Sequence, residues 1–332
     1  MPEAAPGDRI AKDIVLSRPL IQGGMGTVWV ARHEGLKSDV AVKLLSANLA
    51  DDDVAKQRFA REAASAMEIQ SPHVVQMLDY GVTEAGAPYI VMELLSGQDL
   101  EAQLASGPLP AGDVVSIITQ VGRALHGAHE RNILHRDVKP ANVFLIASDG
   151  FSTDKYLVKL LDFGFAKRVD RLTAQLTREG MIVGTPQYMS PEQMTGTKLD
   201  SRSDLFSLGS VAFEAFTGRR AFPGETLREV DDAIQRRPIP RPTLFNSKLP
   251  KALDAWFAKA CARDRDERFA SARELVAALK EVFAQDGPAS INEAAPEGRR
   301  MAASSSSSAS RTIAWLIIVV AVAATVFFIM RK

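Results

Sequence analysis

The chain has almost no cysteine: Cys261 is the single one among 332 residues. A lone thiol excludes a framework of internal disulfide bonds and fits a reducing compartment. Because Cys261 lies in a mostly apolar stretch with helical spacing, we interpret it as a small buried hydrophobic residue rather than a nucleophile. The five histidines show no zinc-ligand spacing with one another or with this cysteine, so the sequence gives no indication of a zinc site.

Net charge and a secretion signal are also missing. The 40 lysines and arginines balance the 40 aspartates and glutamates, so no global charge attracts nucleic acid, and we expect no nucleic-acid partner. The N-terminal residues MPEAAPGDRIAKD contain no apolar core of the kind that a secretory signal peptide has. We expect residues 1–12 to form a disordered lead.

One long apolar run is present near the other end of the chain. Ile313–Met330 contains 18 residues without a charge, and at a rise of about 1.5 Å per residue this length just crosses the hydrocarbon core of a bilayer. A buried core helix is the alternative, but the run is apolar on all sides and follows a serine-rich stretch. We therefore expect a disordered juxtamembrane linker at 285–311, a transmembrane helix at 312–330 and a basic tail at 331–332.

Residues 13–95 have the pattern of short strands around one helix. Leu20–Val30 predicts a strand, a glycine turn and a second strand; the glycines could bring backbone N–H groups close to an anion, although ordinary hairpins use the same residues. Asp39–Leu44 predicts a third strand, on which Ala41 and Lys43 share one face. A small residue beside a lysine suits a flat base and its phosphates, and a surface lysine on an edge strand is the alternative.

The helix of this region is predicted at Asp51–Ile69, because acidic residues stand at its start and a proline follows its end. Glu62 lies beside the apolar stripe of this helix and could reach Lys43, or else remain in solvent. Strands at Val74–Leu78 and Tyr89–Leu95 complete the region.

Residues 96–284 have mainly helical periodicity. We predict helices at Asp113–Glu130, Ser203–Phe216, Lys251–Ala262 and Ala270–Phe283, and two strands at Val143–Ile146 and Tyr156–Leu161. The helix Ser203–Phe216 is apolar on nearly all faces, which indicates a buried central helix.

Polar residues are concentrated in the stretch Ile133–Phe144, which reads I-L-H-R-D-V-K-P-A-N-V-F. Asp137 could accept a proton from a hydroxyl, Lys139 could stabilise phosphate charge and Asn142 could bind a metal ion. An ordinary polar loop between two apolar segments is the alternative. Further along, Asp162 begins the sequence D-F-G, between an apolar strand and a glycine, where a bound cation is a plausible partner.

Taken in order, these motifs resemble those of the eukaryotic-type (Hanks-type) protein serine/threonine kinases. The G-G-M-G turn and the sequence G-T-P-Q-Y-M-S-P-E-Q at 184–193 look most like those of the bacterial, membrane-attached members. The resemblance covers about residues 10–284. It implies an α+β, bilobal fold, with a small β-rich N-lobe at 13–95 that carries one helix and a larger helical C-lobe at 96–284, in addition to the C-terminal transmembrane helix.

The resemblance implies that ATP and Mg²⁺ bind between the two lobes. It assigns the ATP contacts to the glycine turn, the strands beside it and the segment that joins the lobes: Ile21, Gln22, Gly23, Gly24, Met25, Gly26, Val28, Ala41, Met92, Glu93, Leu95 and Phe144. Lys43, paired with Glu62, would bind the α- and β-phosphates. Asn142 and Asp162 would hold Mg²⁺.

The resemblance also implies how the chemistry is performed and controlled. Asp137 would accept the proton of the substrate hydroxyl, and Lys139 would stabilise the transferring γ-phosphoryl group. Arg136 implies activation by phosphorylation of the segment that follows D-F-G, because a phosphate there would give this arginine a partner. Thr177 is the first choice for the phosphorylated residue and Thr173 the second.

Two structural roles and two departures follow from the same comparison. His135 would anchor the catalytic loop rather than act as a base, and Glu192 would form a structural ion pair with Arg268. Ile21 replaces the first glycine of the G-x-G-x-x-G pattern, so we expect weaker or stiffer ATP binding but not its loss. The loop Ala147–Lys155 is longer than the family pattern, and we expect it to leave the chemistry unaffected because it extends from a hairpin.

Two other functions remain as alternatives. A membrane-tethered pseudokinase scaffold would keep the fold without the chemistry, and a small-molecule phosphotransferase of similar fold would lack the segment Gly184–Glu192. Lys43, Asp137 and Asp162 are all present, which favours a kinase that acts on Ser and Thr of proteins. Because ATP is cytosolic, we expect a single-pass protein of the cell membrane with its kinase domain in the cytoplasm. Tethering also favours a homodimer that phosphorylates itself in trans.

Overall fold

The structure is a computed structural model, and it describes residues 4–23, 26–45, 53–148, 150, 153–163 and 185–284. All of these residues belong to one compact unit, Met1–Gly287. Among the residues described, no helix has both the length and the apolar character that crossing a bilayer requires. The predicted linker at 285–311 and the predicted transmembrane helix at 312–330 lie outside the described residues.

The N-terminal lobe is built on an antiparallel sheet whose strand order is β1-β2-β3-β4-β6-β5. The strands are β1 (Arg9–Ala11), β2 (Ile14–Gly23), β3 (Gly26–His33), β4 (Ser38–Leu45), β5 (Met77–Val82) and β6 (Pro88–Glu93). Four strands each contribute two buried residues, two positions apart, to one cluster: Ile14, Leu16, Trp29, Ala31, Val40, Val42, Tyr89 and Val91. This alternation is what a sheet with one covered face requires.

Helix α1 (Asp53–Met67) packs against the sheet and, among the described residues of this lobe, is the single helix, as predicted. Phe59 of the helix is buried with Leu45 and Ile90 and meets the ring of Tyr80 at a centroid distance of 6.4 Å. Phe59 therefore holds the helix against the sheet, and one of its contacts is with strand β5.

The prediction of a strand at Val74–Leu78 is wrong in its bounds. Strand β5 begins at Met77 and runs to Val82, so that Gly81 lies within it and pairs with Tyr89. A Cβ atom at Gly81 would lie 2.6 Å from the Tyr89 hydroxyl oxygen. A larger residue at this position would therefore clash with the Tyr89 ring. Val74 instead bridges Leu160 of the other lobe, because the neighbouring backbone N–H of Val75 donates to the Leu160 carbonyl at 3.0 Å.

The C-terminal lobe is mainly helical. Its helices are α2 (Leu100–Leu104), α3 (Ala111–His129), α4 (Pro191–Thr195), α5 (Ser201–Thr217), α6 (Leu227–Gln235), α7 (Ala252–Ala260) and α8 (Ala272–Ala284). A small sheet of β7 (Gln98–Asp99), β8 (Val143–Ala147) and β9 (Tyr156–Leu160) lies in the order β7-β8-β9. The structure confirms that α5 is a buried central helix, and its core includes Phe206, Phe213 and Phe216.

Three helices were not predicted from the sequence. Helices α2 and α4 have five residues each, which is too short for a periodic pattern to be recognised. Helix α6 has nine residues and buries Val230, Ala233 and Ile234. Its start carried a signal, because Thr226 precedes Glu229 by three positions and its side chain accepts the backbone N–H of that residue.

Candidate active site

One buried carboxylate, that of Asp204, holds the loop between α3 and β8 in place. Asp204, in the first turn of α5, accepts the backbone N–H of His135 at 2.9 Å and that of Arg136 at 2.7 Å, and the Nε2 of His129 at 2.8 Å. Burial alone would raise the pKa of Asp204, but the hydrogen bond from His129 and the nearby His135 outweigh it and lower this pKa. Asp204 therefore remains an anion that anchors the loop.

Sequence reasoning missed Asp204 and its contact with His129. A signal was present, because Asp204 is a charged residue on a helix that is otherwise apolar on nearly all faces. A buried charge needs a partner, so such a position indicates a polar network.

His135 anchors the loop from a second side and agrees with its predicted role. Its Nε2 lies 2.7 Å from the Leu161 carbonyl oxygen, and its Nδ1 accepts the backbone N–H of Asp137 at 3.2 Å. These partners require the proton on Nε2 and a neutral ring. Complete burial lowers the pKa of His135, which favours the same neutral form.

Asp137, Lys139 and Asn142 form one hydrogen-bonded group. The Nζ of Lys139 lies 2.9 Å from the Oδ2 of Asp137. The Nδ2 of Asn142 donates to the Asp137 carbonyl at 2.7 Å and to its Oδ2 at 3.2 Å. The structure thus brings together the predicted base, the predicted phosphate-stabilising cation and one predicted metal ligand.

Lys43 and Asp162 form an ion pair across the two lobes. The Nζ of Lys43, on β4, lies 2.8 Å from the Oδ2 of Asp162, which follows β9. Asp162 has a left-handed φ of 54°, and Arg136 has one of 64°. Such a conformation costs a non-glycine residue about 1–2 kcal/mol. Glu62 lies on α1, and its side chain is outside the described part of the structure.

The predicted metal ligands are suited to Mg²⁺. Asn142 uses its amide nitrogen for Asp137, no described residue forms a hydrogen bond with its amide oxygen, and Asp162 offers a carboxylate. These are hard oxygen donors, and the backbone N–H of Leu161 on the Asn142 carbonyl at 2.8 Å holds their two segments together. The described residues contain no group of three or more His, Cys, Asp or Glu that could hold a metal ion. A small number of protein ligands is typical of Mg²⁺ that is shared with substrate phosphates.

The predicted ATP contacts lie on adjoining strands. The sheet register places Val28 opposite Lys43 and Ala41 opposite Met92. Met92 and Asp162 line the same small cavity, together with Ile90, Phe163 and the other residues Ala66, Val74, Val75 and Met77. Of the predicted ATP contacts, Met92 thus lines a cavity with Asp162, while Val28 and Ala41 lie on strands β3 and β4 beside Lys43.

The glycine turn is described in part. Ile21 lies on strand β2 opposite Val28 and is 60% exposed, and Gln22 and Gly23 are the last two residues of that strand. Gly26 has a φ of 137°, and a side chain there would lie 2.0 Å from the Leu44 carbonyl oxygen. Gly24 and Met25 lie outside the described residues.

The segment joining the lobes is held against β9 by Lys159, a residue that sequence reasoning missed. The Oε1 of Glu93 lies 2.6 Å from the Nζ of Lys159 on β9 and accepts the backbone N–H of Gln76 at 2.6 Å. The Glu93 side chain is thus committed to protein contacts. The Glu93 backbone N–H also donates to the Gln76 carbonyl at 3.0 Å. Leu95 is half-buried, and Phe144 lies on β8 opposite Asp99.

Glu192 and Arg268 form the predicted structural ion pair. The Arg268 guanidinium contacts Oε1 at 2.7 Å and Oε2 at 2.8 Å, and the Ser203 hydroxyl donates to Oε1 at 2.6 Å. Burial raises the pKa of Glu192, but Arg268 and Ser203 together outweigh it and lower this pKa to about 2. Cys261 is also buried as predicted, and burial raises the pKa of its thiol to about 12.

Two predicted control features are only partly described. The Nε of Arg136 is buried and has no hydrogen-bond partner within the described residues. Thr173 and Thr177 lie outside those residues. In the long loop Ala147–Lys155, Asp154 accepts the Ser116 hydroxyl at 2.8 Å, so the described part of the loop packs against α3.

Comparison with known proteins was made on the whole chain. Residues 15–279 match the family described as the protein kinase domain. The chain is 40% identical over 283 residues to the serine/threonine-protein kinase Pkn1 of Myxococcus xanthus, covering 85% of this chain and 40% of that protein. It is 38% identical over 286 residues to PknH of Mycobacterium tuberculosis, covering 85% of this chain and 44% of that protein. The chain therefore spans less than half the length of these curated relatives.

A solved structure has the same fold. The kinase domain of PknI from Mycobacterium tuberculosis superposes with a TM-score of 0.67 at 30% identity, covering 84% of this chain and 100% of that one. The expected bilobal α+β fold is thereby confirmed. With a family match over residues 15–279 and relatives at 40% identity, the chain belongs to the protein kinase domain family.

Proposed function

We propose that this chain is an ATP-dependent protein serine/threonine kinase that transfers the γ-phosphoryl group of ATP to Ser and Thr hydroxyls of proteins in signal transduction. The observation that supports this proposal is a chain of contacts: Lys43 pairs with Asp162, the neighbouring Leu161 N–H donates to the Asn142 carbonyl, and the Asn142 amide donates to Asp137. Phosphoryl transfer demands positioning and charge neutralisation more than covalent work by the protein, and these residue types supply both.

Nucleotide binding is proposed for the residues that line the cleft. Gly23, Gly24 and Gly26 would let the backbone of the glycine turn lie close to the phosphates, and the backbone carbonyl of Glu93 and the backbone of Leu95 would offer hydrogen-bonding groups to adenine. Lys43 would bind the α- and β-phosphates. Asn142 and Asp162 would hold Mg²⁺, which supplies positive charge to the phosphate oxygens.

The transfer step is proposed for the catalytic loop. Asp137 would accept the proton of the substrate hydroxyl as the oxygen attacks the γ-phosphorus. Lys139, at 2.9 Å from the Asp137 carboxylate, would place its ammonium beside both the carboxylate and the transferring group. His135 remains neutral and fixes the backbone of the loop, so we assign it no proton transfer.

Control by phosphorylation is proposed for Arg136. Its buried Nε lacks a partner among the described residues, and a phosphorylated threonine would supply one. Thr177 is the first candidate and Thr173 the second. Turnover in a double variant, Thr177→Ala with Thr173→Ala, should fall relative to the wild type, and unchanged turnover would refute this assignment.

The proposed layout places a lead at 1–12, the kinase domain at 13–284, a linker at 285–311, a membrane span at 312–330 and a basic tail at 331–332. The support is the run of 18 uncharged residues and the cytosolic location of ATP, which puts the kinase domain in the cytoplasm of a single-pass membrane protein. Such tethering favours homodimers that phosphorylate in trans. An autophosphorylation rate that stays first order over wide dilution in detergent would argue against the dimer.

The activity is tested by transfer of radiolabelled phosphate from ATP to a generic protein substrate. Wild type should incorporate label, and Asp137→Asn should reduce the rate by about 10²–10⁴-fold, the usual contribution of a general base. Lys43→Met should also be strongly impaired. Equal incorporation by wild type and Asp137→Asn would refute the enzyme and leave the pseudokinase scaffold, which nothing in the comparisons supports.

A further inference from the structure

The peptide group that joins Arg136 to Asp137 is held at both of its ends. Its N–H, from Asp137, donates to the Nδ1 of His135 at 3.2 Å. Its carbonyl, from Arg136, accepts the Nε2 of Gln193 at 2.8 Å. Because Arg136 has a left-handed φ of 64°, this peptide plane is not the one that the backbone prefers by itself. The two hydrogen bonds therefore oppose its rotation.

The other end of the Gln193 side chain belongs to helix α4. Its Oε1 accepts the backbone N–H of Ser190 at 2.9 Å, and the Ser190 hydroxyl accepts the backbone N–H of Gln193 at 3.4 Å. This reciprocal pair is the capping box that begins α4. One side chain thus joins the start of this helix to the catalytic loop.

The capping box does not by itself require glutamine. Glutamate serves equally at the third position of a capping box, because only an acceptor is needed there. The Arg136 carbonyl, in contrast, requires a donor, and the amide of Gln193 supplies it. Since Ser190 N–H can only donate and the Arg136 oxygen can only accept, a single orientation of the amide satisfies both.

We infer that Gln193 is a positioning residue for the proposed base. It fixes the plane of the Arg136–Asp137 peptide and so sets the direction in which the Asp137 side chain leaves the backbone. This inference rests on the proposed kinase activity. Gln193 acts through Asp137 and needs no contact with the nucleotide.

The substitution Gln193→Glu separates positioning from capping. The introduced carboxylate keeps the acceptor for the Ser190 N–H and the size of the side chain, but it places an oxygen against the Arg136 carbonyl where a donor stood. We expect the melting temperature to stay close to that of the wild type. We expect kcat to fall about 10- to 100-fold, since a displacement of about 1 Å can cost about 100-fold in rate.

The ATP KM distinguishes this effect from a general loosening of the fold. The glycine turn and Lys43 are untouched by the substitution, so the ATP KM should stay within about twofold of the wild-type value while kcat falls. A matched control is Thr195→Ala, which removes a side-chain hydrogen bond of the same helix, to the Pro191 carbonyl at 3.1 Å. This variant should keep the wild-type kcat.

Each outcome decides between a positioning role and a structural one. Wild-type kcat in Gln193→Glu overturns the inference. A fall in kcat that is accompanied by a lower melting temperature and a raised ATP KM, or that appears equally in Thr195→Ala, assigns Gln193 a structural role only and also overturns it. If the wild type itself has no kinase activity, the proposed function is refuted and this inference falls with it. If the wild type is active and the variants behave as in the overturning outcomes above, only this inference fails.

Discussion

At the scale of single residues, buried charges in this protein are matched by partners. Glu192 is 5% exposed and its carboxylate receives a bidentate guanidinium from Arg268 and a hydroxyl from Ser203. Removing one member of a buried ion pair leaves the other charged without solvent, which costs about 3–5 kcal/mol. The same bidentate geometry on the surface has a much smaller effect.

This difference predicts the result of two matched substitutions. Glu192→Gln should lower the free energy of unfolding by about 3–5 kcal/mol, because Arg268 is then buried without a counter-charge. Glu34→Gln, in the surface pair with Arg9, should lower it far less, because solvent and salt screen that pair. Urea denaturation of both variants measures the comparison, and equal losses would contradict it.

The Glu192 carboxylate also predicts a dependence of stability on pH. Its pKa is about 2 in the folded protein, whereas the ordinary glutamate pKa of an unfolded chain is about 4.3. A lowered folded pKa adds stability that is complete above the unfolded value and is lost as the pH falls toward the folded one. Between about pH 4.3 and 2, the free energy of unfolding should fall more steeply in wild type than in Glu192→Gln. Parallel denaturation curves across this range would contradict the assignment.

Residue-level reasoning from the sequence succeeded where spacing is short. Asp137, Lys139 and Asn142 lie within six positions, so their meeting in one loop followed from the motif itself. Lys43 and Asp162 are 119 positions apart, and only the family resemblance placed them together. Asp204 was missed because its backbone partners lie 68 and 69 positions away, and no local pattern records such a contact.

At the scale of elements, length and periodicity decided which predictions held. The helices α3 and α5 were predicted nearly to their ends, because each carries many apolar residues at helical spacing. Strand β5 was misplaced because its glycine resembled a turn, whereas Gly81 only makes space for the Tyr89 ring. Tertiary contacts of this kind are invisible in the local pattern.

At the scale of elements, the testable prediction concerns the glycine turn between β2 and β3. Gly26→Ala should disturb the turn, because φ is 137° and the new methyl group would lie 2.0 Å from the Leu44 carbonyl oxygen. We expect nucleotide affinity to fall at least about tenfold, since the strands that hold the proposed phosphate site must separate. Fluorescence titration with a nucleotide analogue measures this affinity.

Gly112→Ala is the matched control for that substitution. Gly112 lies in α3, has no heavy atom within 4 Å of an added Cβ and has no positive φ. Alanine should be neutral there or stabilise the protein by about 0.5–1 kcal/mol. Unchanged nucleotide affinity in Gly26→Ala would show that the turn tolerates a side chain.

At the scale of the whole molecule, the two lobes are connected along one line of contacts. The Leu160 backbone exchanges hydrogen bonds with the segment before β5, at 2.9 Å to the His73 carbonyl and 3.0 Å from the Val75 N–H. Lys159, the neighbouring residue on β9, binds Glu93. These contacts hold the segment before β5 and the end of β6 against β9, and the Lys43–Asp162 pair is a further contact between the lobes.

That pair predicts how the nucleotide and the divalent cation depend on each other. A triphosphate that enters without a cation must take Lys43 from Asp162 and leaves the carboxylate unpaired. Asp162→Asn should therefore bind cation-free nucleotide more tightly than wild type and gain less from added Mg²⁺. Titration with a fluorescent nucleotide, with Mg²⁺ or with a chelator, measures both affinities, and an Mg²⁺ effect that is the same in both proteins would contradict the prediction.

The wider consequence is thermodynamic linkage between the nucleotide and the cation. Each of them competes for one member of the Lys43–Asp162 ion pair. Lys43 and Asp162 neutralise each other while the cleft awaits its substrate, so each ligand frees the group that the other needs. The enhancement of one affinity by the other ligand must be equal in both directions.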